Sequence, residues 1–305
     1  MIQLANALAL CVMPFFIPGI INRVKALWSG RKGPPLLQTA FDVLRLLRKS
    51  SVYSETTTVL FRIAPWVFVL TALGSAALTP LLGSAPLVSF PFDFVWFAYV
   101  WGLGRVGMML AAMDTGSAFE GMGSAREATF STLLEPVLFL TIGALCLGSG
   151  ACTLHDALAP RSHVGDSSFI VTSLAAVALL IVLQVESARM PVDDPTTHLE
   201  LTMVHEVMVL DHSGPDLAAI QYGCGVKLYV AASIIATLLN PWAGPGLLGA
   251  VSNSLSCVAV AVAVGTIESL IARLKLSTVP KYIAVALSAA ALALLATAWR
   301  LGAAP

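Results

Sequence analysis

The sequence predicts an all-α polytopic membrane protein with about eight transmembrane helices plus cytoplasmic amphipathic helices. Three observations predict it. The chain is 57% hydrophobic and only 11% charged, whereas soluble domains carry about 25% charged residues. Apolar runs of the roughly 20 residues needed to cross a bilayer recur along the whole length. The basic residues between those runs fall almost entirely on one side. The 305 residues read as a single transmembrane domain, 1–305.

Span 1 covers about Leu4–Ile21. No basic segment precedes it and a basic loop follows, so it is expected to be a retained span, not a cleaved signal. Residues 35–49 then place Leu37, Phe41, Leu44 and Leu47 on one helical face, with Asp42, Arg45, Arg48 and Lys49 mostly elsewhere. That pattern predicts an interfacial helix lying on the lipid bilayer. Span 2 is expected at Ile63–Leu82, span 3 at Phe92–Met113 and span 4 at Thr129–Gly150. Span 5 is expected at Ser168–Ser187. Asp194-Pro195 then opens a second amphipathic helix over about Thr197–Leu210, since proline suits a first helical turn. Its charges are acidic, which points to contact with protein and not with a lipid surface. The uncharged run from Leu228 to Ile267 is too long for one helix, and the Pro/Gly-rich turn Asn240–Gly246 splits it. Span 6 is thus Ile220–Asn240, span 7 Gly246–Ala272 and span 8 Tyr282–Leu301.

Thirteen Lys and Arg residues lie in the loops after spans 1, 3, 5 and 7, against Arg161 and Arg300 on the other side. Basic loops stay in the cytoplasm. Both termini are therefore expected outside, with the long loops cytoplasmic.

Composition also excludes some functions. Net charge is zero, which leaves no electrostatic footprint for nucleic acid. The five cysteines contain no C-x-x-C pair, and Fe–S clusters need grouped thiolates. No redox centre is expected in this chain. His205-Glu206 is followed by Val-Met-Val, so the H-E-x-x-H metal motif is absent and no metal site is expected. His198, His205 and His212 recur every seven residues, near one helical face. They read as interface or proton-carrying histidines. The segment 114–127 is Gly/Ser-rich but lacks G-K-[ST], so it reads as a loop that packs on a partner and does not bind nucleotide.

The residues that could carry chemistry are ionisable groups at membrane depth. Glu135, Glu186 and Glu268 sit in or at the end of apolar spans, with Arg105 and Lys227 inside two others. A central charge costs about 2.5–3.5 kcal/mol to insert. Five such groups imply a shared hydrated interior, and buried carboxylates with shifted pKa values can pass protons. Static pairing, Glu135 with Arg105 or Glu186 with Lys227, is the plainer alternative. Glu268 could instead reach the interface beside Arg273. Asp193, Asp194, Glu200 and Glu206 extend the acidity into the loop after span 5 and could connect it to water.

Several motifs together resemble the subunit 1 family of respiratory complex I. They are Arg-Lys-Gly-Pro-Pro-Leu-Leu-Gln (31–38) before an amphipathic helix, and Glu-Ser-Ala-Arg-Met-Pro-Val-Asp (186–193) followed by Glu200-Leu201. Asp114-Thr-Gly-Ser, Gly123-Ser-Ala-Arg-Glu127, Glu135-Pro136 and His212-Ser-Gly214 are closer to the homologous membrane subunit of formate hydrogenlyase and energy-converting NiFe hydrogenases. The resemblance spans nearly the whole chain. It implies a subunit of the cell membrane, without a cofactor of its own, that docks a peripheral arm. The partners implied are a small Fe–S subunit, a NiFe-type large subunit and antiporter-like membrane subunits. The docking set implied is Arg31, Lys32, Asp114, Arg126, Glu127, Arg189, Asp194, Glu206 and Asp211. The proton path implied is Glu135, Glu186, Asp193, Glu200, Glu268, Arg105 and Lys227. In complex I the same location holds a quinone pocket. Here the Pro-Phe-Asp-Leu-Pro-Glu type loop reads Pro191-Val-Asp-Asp-Pro-Thr196, so a quinone-site subunit stands as the alternative. A stand-alone transporter fits less well, because no inverted repeat is visible.

Overall fold

The computed structural model describes residues 2–159, 166–193 and 203–302. Among them the secondary structure is helical throughout. The α-helices are α1 (Ile2–Trp28), α2 (Gln38–Leu47), α3 (Val59–Ala77), α4 (Asp93–Asp114), α5 (Ala118–Ser149), α6 (Leu154–Leu158), α7 (Asp166–Glu186), α8 (Gly214–Leu239), α9 (Leu247–Leu270) and α10 (Val279–Gly302). Short 3-10 turns occupy Glu206–Val209 and Leu276–Thr278. Eight helices, all but α2 and α6, are long and apolar enough to cross a membrane.

α8 is the axis of the bundle. Its most apolar stretch is 83% buried, against 33% for α4, α9 and α10. A helix apolar all round belongs inside. α1, α2, α3, α7 and α9 pack against it. Apolar helices gain nothing from hiding from lipid, so close packing of small residues must hold them. Gly223 admits Phe68 of α3: a Cβ there would lie 2.7 Å from the ring. Gly225 admits the backbone of α1, with Pro14 O 2.5 Å from where a Cβ would be. Gly104 of α4 closes on Thr71 of α3 in the same way. α10 packs on α5 and α7 around a second apolar cluster that includes Leu134, Val182 and Ile283.

Two expectations need correction. α5 begins at Ala118, so the Gly/Ser-rich segment is mostly helix and not loop. Gly123 is tolerated inside that helix because it receives the 206–209 turn, where a Cβ would meet Val207 Cγ1 at 2.3 Å. The segment therefore packs on its own chain. The helix expected over Thr197–Leu210 is also not seen where the chain is described. Its only regular piece there is the 3-10 turn at 206–209, with Val207, Met208 and Val209 buried. The Asp193 carboxylate accepts from Val204 N and His205 N, both at 3.0 Å, and draws this backbone inward. His205 and His212 thus flank a turn and do not share a helical face. His198, Thr196, Asp194, Glu200 and Arg161 lie outside the described residues.

α2 matches the expected amphipathic helix, with Phe41, Leu44 and Leu47 exposed and Val43 buried. α7 ends on Glu186. The loop beyond is not on the surface: Ala188, Arg189, Val192 and Asp193 are all buried. Irregular backbone is tolerated at membrane depth only when protein surrounds it.

Candidate functional site

The site is built where the C-terminus of α7 meets the middle of α4. Arg105 stands nine residues before the end of α4 at Asp114, about 13 Å along the helix. Its Nη1 lies 2.5 Å from Glu186 Oε1. Trp101, one turn earlier on the same helix, donates its indole N–H to Glu186 Oε2 at 2.5 Å. Lys227 of α8 approaches the same oxygen at 3.9 Å. Its ammonium donates to Trp101 O at 3.2 Å and sits about 5 Å from the rings of Phe68 and Trp101. Aromatic faces attract a cation that has lost its water, which helps hold Lys227 at 3% exposure. Glu135 of α5 is different. Among the described residues its one ion pair, to Arg105 Nη2, is 3.5 Å long, and its side chain is 57% exposed.

Both pairings foreseen from the sequence exist, but the shortest contact, Arg105 with Glu186, joins their partners crosswise. Two anions therefore share one guanidinium, with a second cation beside it.

This cluster lies between two openings. A groove of about 420 Å³ on the flank of the bundle is walled by Tyr99, Leu103 and Phe139 and floored by Arg105, Glu135 and Glu186. A cleft of about 320 Å³ between α1, α2 and α8 is lined by Asp42, Arg189, His205, Glu206 and Cys224. A small separate cavity shares His205 with the cleft and Arg105 and Glu186 with the groove. It is lined by His205, Glu127, Lys227, Arg105 and Glu186. His205 Nε2 lies 3.4 Å from Cys224 Sγ. Burial disfavours the charged ring, but the Cys224 sulfur with Glu127 and Glu206 outweighs it and raises His205 to about 10. Ionisable groups thus stand in a row between the linings of cleft and groove. Such a row can pass protons by local transfers.

The other described proton-path residues, Glu268 and Asp193, lie apart from this row. Glu268 is buried between Lys25 at 3.0 Å and Arg189 at 3.7 Å, without an aligned hydrogen bond among the described residues. It does not pair with Arg273 at the interface. Arg273 instead reaches Asp193 at 2.7 Å. Asp193 is saturated by that pair and two backbone N–H groups.

The expected docking residues divide as well. Arg31, Lys32 and Asp211 are exposed. Asp114 accepts from the backbone N–H and hydroxyl of Thr58 at 2.7 and 2.9 Å. Arg126 donates to Met203 O at 2.7 Å. Arg189 is buried with Glu268, Glu127 lines the inner cavity and Glu206 the cleft.

Sequence reasoning missed the placement of Glu127 and the pairing of His205 with Cys224. No local spacing announces a contact between α5, the 206–209 turn and α8. Trp101 was also missed. Its position four residues before Arg105 was the available signal, because such pairs share a helical face.

An eight-span helical bundle with ionisable groups inside defines a polytopic membrane protein. The chain belongs to the NADH dehydrogenase family, whose profile matches residues 1–298. It is 29% identical to hydrogenase-4 component C of Escherichia coli K12 over 88% of this chain and 82% of that one. It is 26% identical to formate hydrogenlyase subunit 4 of the same organism, over 91% of this chain and 92% of that one. An NADH-quinone oxidoreductase subunit of Rhodospirillum rubrum is 26% identical over 70% of this chain and 65% of that one. Among solved structures, a chain of the membrane-bound sulfane sulfur reductase, an archaeal respiratory membrane complex, shares the fold. The TM-score is 0.82 at 21% identity, over 97% of both chains. The chain is thus a multi-pass membrane subunit of the hydrogenase and complex I type.

Proposed function

We propose that this chain anchors the peripheral arm of a hydrogenase-type, formate hydrogenlyase-like complex and passes protonic coupling into the membrane arm. The observation that carries the reading is the buried row from His205 through Glu127, Arg105 and Glu186 to Glu135. It starts in a cleft beside the loops and ends on the flank of the bundle. The exposed Arg31, Lys32 and Asp211 stand on loops of the same face and suit docking. On this reading those loops are cytoplasmic, both termini are outside, and the NiFe and Fe–S groups belong to partner subunits. The antiporter-like subunits would receive the coupling.

The chain's own part is to hold and move protons. Arg105 holds one oxygen of Glu186, while Lys227 and Trp101 share the second. A proton reaching Glu186 frees Arg105 toward Glu135. Such a two-position guanidinium can link the protonation of one carboxylate to that of the other.

A second reading, a quinone-site subunit, is favoured by the cleft itself. It offers His205, Asp42 and Arg189 as polar groups in a partly apolar pocket between α1, α2 and α8. A quinone bound there would supply two-electron, two-proton chemistry, and these residues would orient its head.

The test is the purified complex in proteoliposomes. Glu186→Gln and Glu135→Gln should lower ions moved per electron while electron transfer continues. Unchanged stoichiometry in both variants sinks the relay. Reduction of a quinone analogue, lost in His205→Ala, would select the second reading.

A further inference from the structure

The flank groove has a seam that none of the described residues fills. The exposed residues of α4 are Trp96, Tyr99, Leu103, Val106, Leu110 and Met113, stepping by three and four along the whole helix. That is the spacing of a ridge that meets another helix along its length. Midway along it the wall is thin. Gly102 has no heavy atom nearer to a notional Cβ than Glu135 Oε1 at 3.8 Å and Arg105 Nη2 at 3.9 Å. A neighbour could approach the α4 backbone closely there, as membrane helix pairs do at small residues. Beside this point stands Glu135, with its side chain 57% exposed and one long ion pair among the described residues.

We infer that this groove seats one transmembrane helix of a neighbouring membrane subunit, which presents a cation or hydrogen-bond donor to Glu135. The inference rests on the coupling role proposed above and names the surface through which it leaves the chain.

Charge complementarity selects the occupant. Arg105 gives its short contact to Glu186, so Glu135 keeps unspent acceptor capacity. A lipid tail would fill the apolar walls but leave that carboxylate facing hydrocarbon. A charge there costs about 2.5–3.5 kcal/mol on insertion scales. A second copy of this chain packing by the same face would bring Glu135 near its own equivalent, carboxylate to carboxylate. A helix with a donor avoids both penalties. The exposed side of α10 makes the contrast. Val285, Leu292 and Leu295 are just as exposed, and between Tyr282 and Ala298 no Asp, Glu, Lys, Arg or His occurs in the sequence.

The test places a photoactivatable residue at Leu103, Val106 or Leu110 of the full chain, in membranes holding the assembled complex. Val285 and Leu292 serve as controls. The adducts are mapped by mass spectrometry. The α4 sites should all join one apolar segment of one co-assembled membrane subunit, in three- and four-residue steps, with a polar donor at the level of Glu135. The α10 sites should give lipid. Lipid alone at the α4 sites, a second copy of this chain, or a water-soluble subunit would each overturn the inference. Glu135→Lys should lower the α4 adduct yield about tenfold, equivalent to one unit in log affinity, and Glu135→Gln far less. Equal yields for Lys and Glu at this position also overturn it. Failure of the coupling reading is separate: normal ion stoichiometry in Glu186→Gln leaves these adducts in place.

Discussion

The two polar regions of this bundle are paired in opposite ways. In the loop region, Asp193 is saturated by two backbone N–H groups and the Arg273 guanidinium, while Glu268 has Lys25 and Arg189 beside it as ion-pair partners only. These contacts tie the segments after α7 and α9 to each other and to α1. In the middle of the bundle, two carboxylates share Arg105, and one of them opens onto a groove. The contrast shows that membrane-depth charge is not one category. Saturated pairs hold segments together, and removing one member leaves the other unsatisfied. A carboxylate with acceptor capacity to spare, such as Glu135, is instead a group that can change its protonation.

Breaking the saturated region should have the largest effect. Asp193→Ala strips Arg273 and two backbone donors of their acceptor. Breaking a buried pair costs about 3–5 kcal/mol. The chain should lose that in detergent unfolding, and a stability within experimental error of the parent would contradict the structural role.

His212 sharpens the contrast by pH. It stacks on Phe61 at 3.9 Å, and neither ring nitrogen has a partner among the described residues. Burial pushes it down to about 4, against a smaller opposing pull from Asp216. The unfolded chain takes up this proton near its usual value of about 6.5, and the folded chain only near 4. Stability from the neutral ring is therefore complete above about 6.5, falls as pH drops toward about 4, and is level below that. The loss amounts to about 3 kcal/mol at roughly 1.36 kcal/mol per unit. Melting curves between about pH 7 and 4 should show His212→Phe losing less stability than the parent by that amount. Parallel curves would argue against it.

Gly123→Ala should cost less, about 1–3 kcal/mol, as overpacking does. It forces Val207 and Val204 O away from α5. Because that contact also places His205, a shifted cleft should accompany the loss. An unaltered reactivity of Cys224 toward a thiol reagent would show that the turn had not moved.

Glu135→Gln should change stability least, within about 0.5 kcal/mol, as exposed positions do. Its effect should appear in ion stoichiometry alone. A large drop in stability would move Glu135 into the saturated class.

Much of this was legible in the sequence. Apolar length located all eight spans, because the bilayer imposes it on every span separately. The candidates Glu135, Glu186, Arg105 and Lys227 stood out because charge is rare at that depth. Their crosswise pairing was not legible, since it depends on where α4, α5, α7 and α8 meet. The helical state of 118–127 was hidden by its glycines, one of which, Gly123, serves a tertiary contact with Val207. The inward turn of 203–209 was hidden too. It follows from Asp193 capturing two N–H groups ten or more residues away, which no periodicity records.

The central claim is that the two carboxylates sharing Arg105 change protonation during turnover and that Asp193, saturated by its partners, does not. Infrared difference spectroscopy of the working complex reads this directly through the carbonyl stretch of a protonated carboxyl. The account predicts a turnover band that is diminished in Glu135→Gln and in Glu186→Gln and intact in Asp193→Asn. A band that survives both of the first two substitutions, or that vanishes with the third, would contradict it.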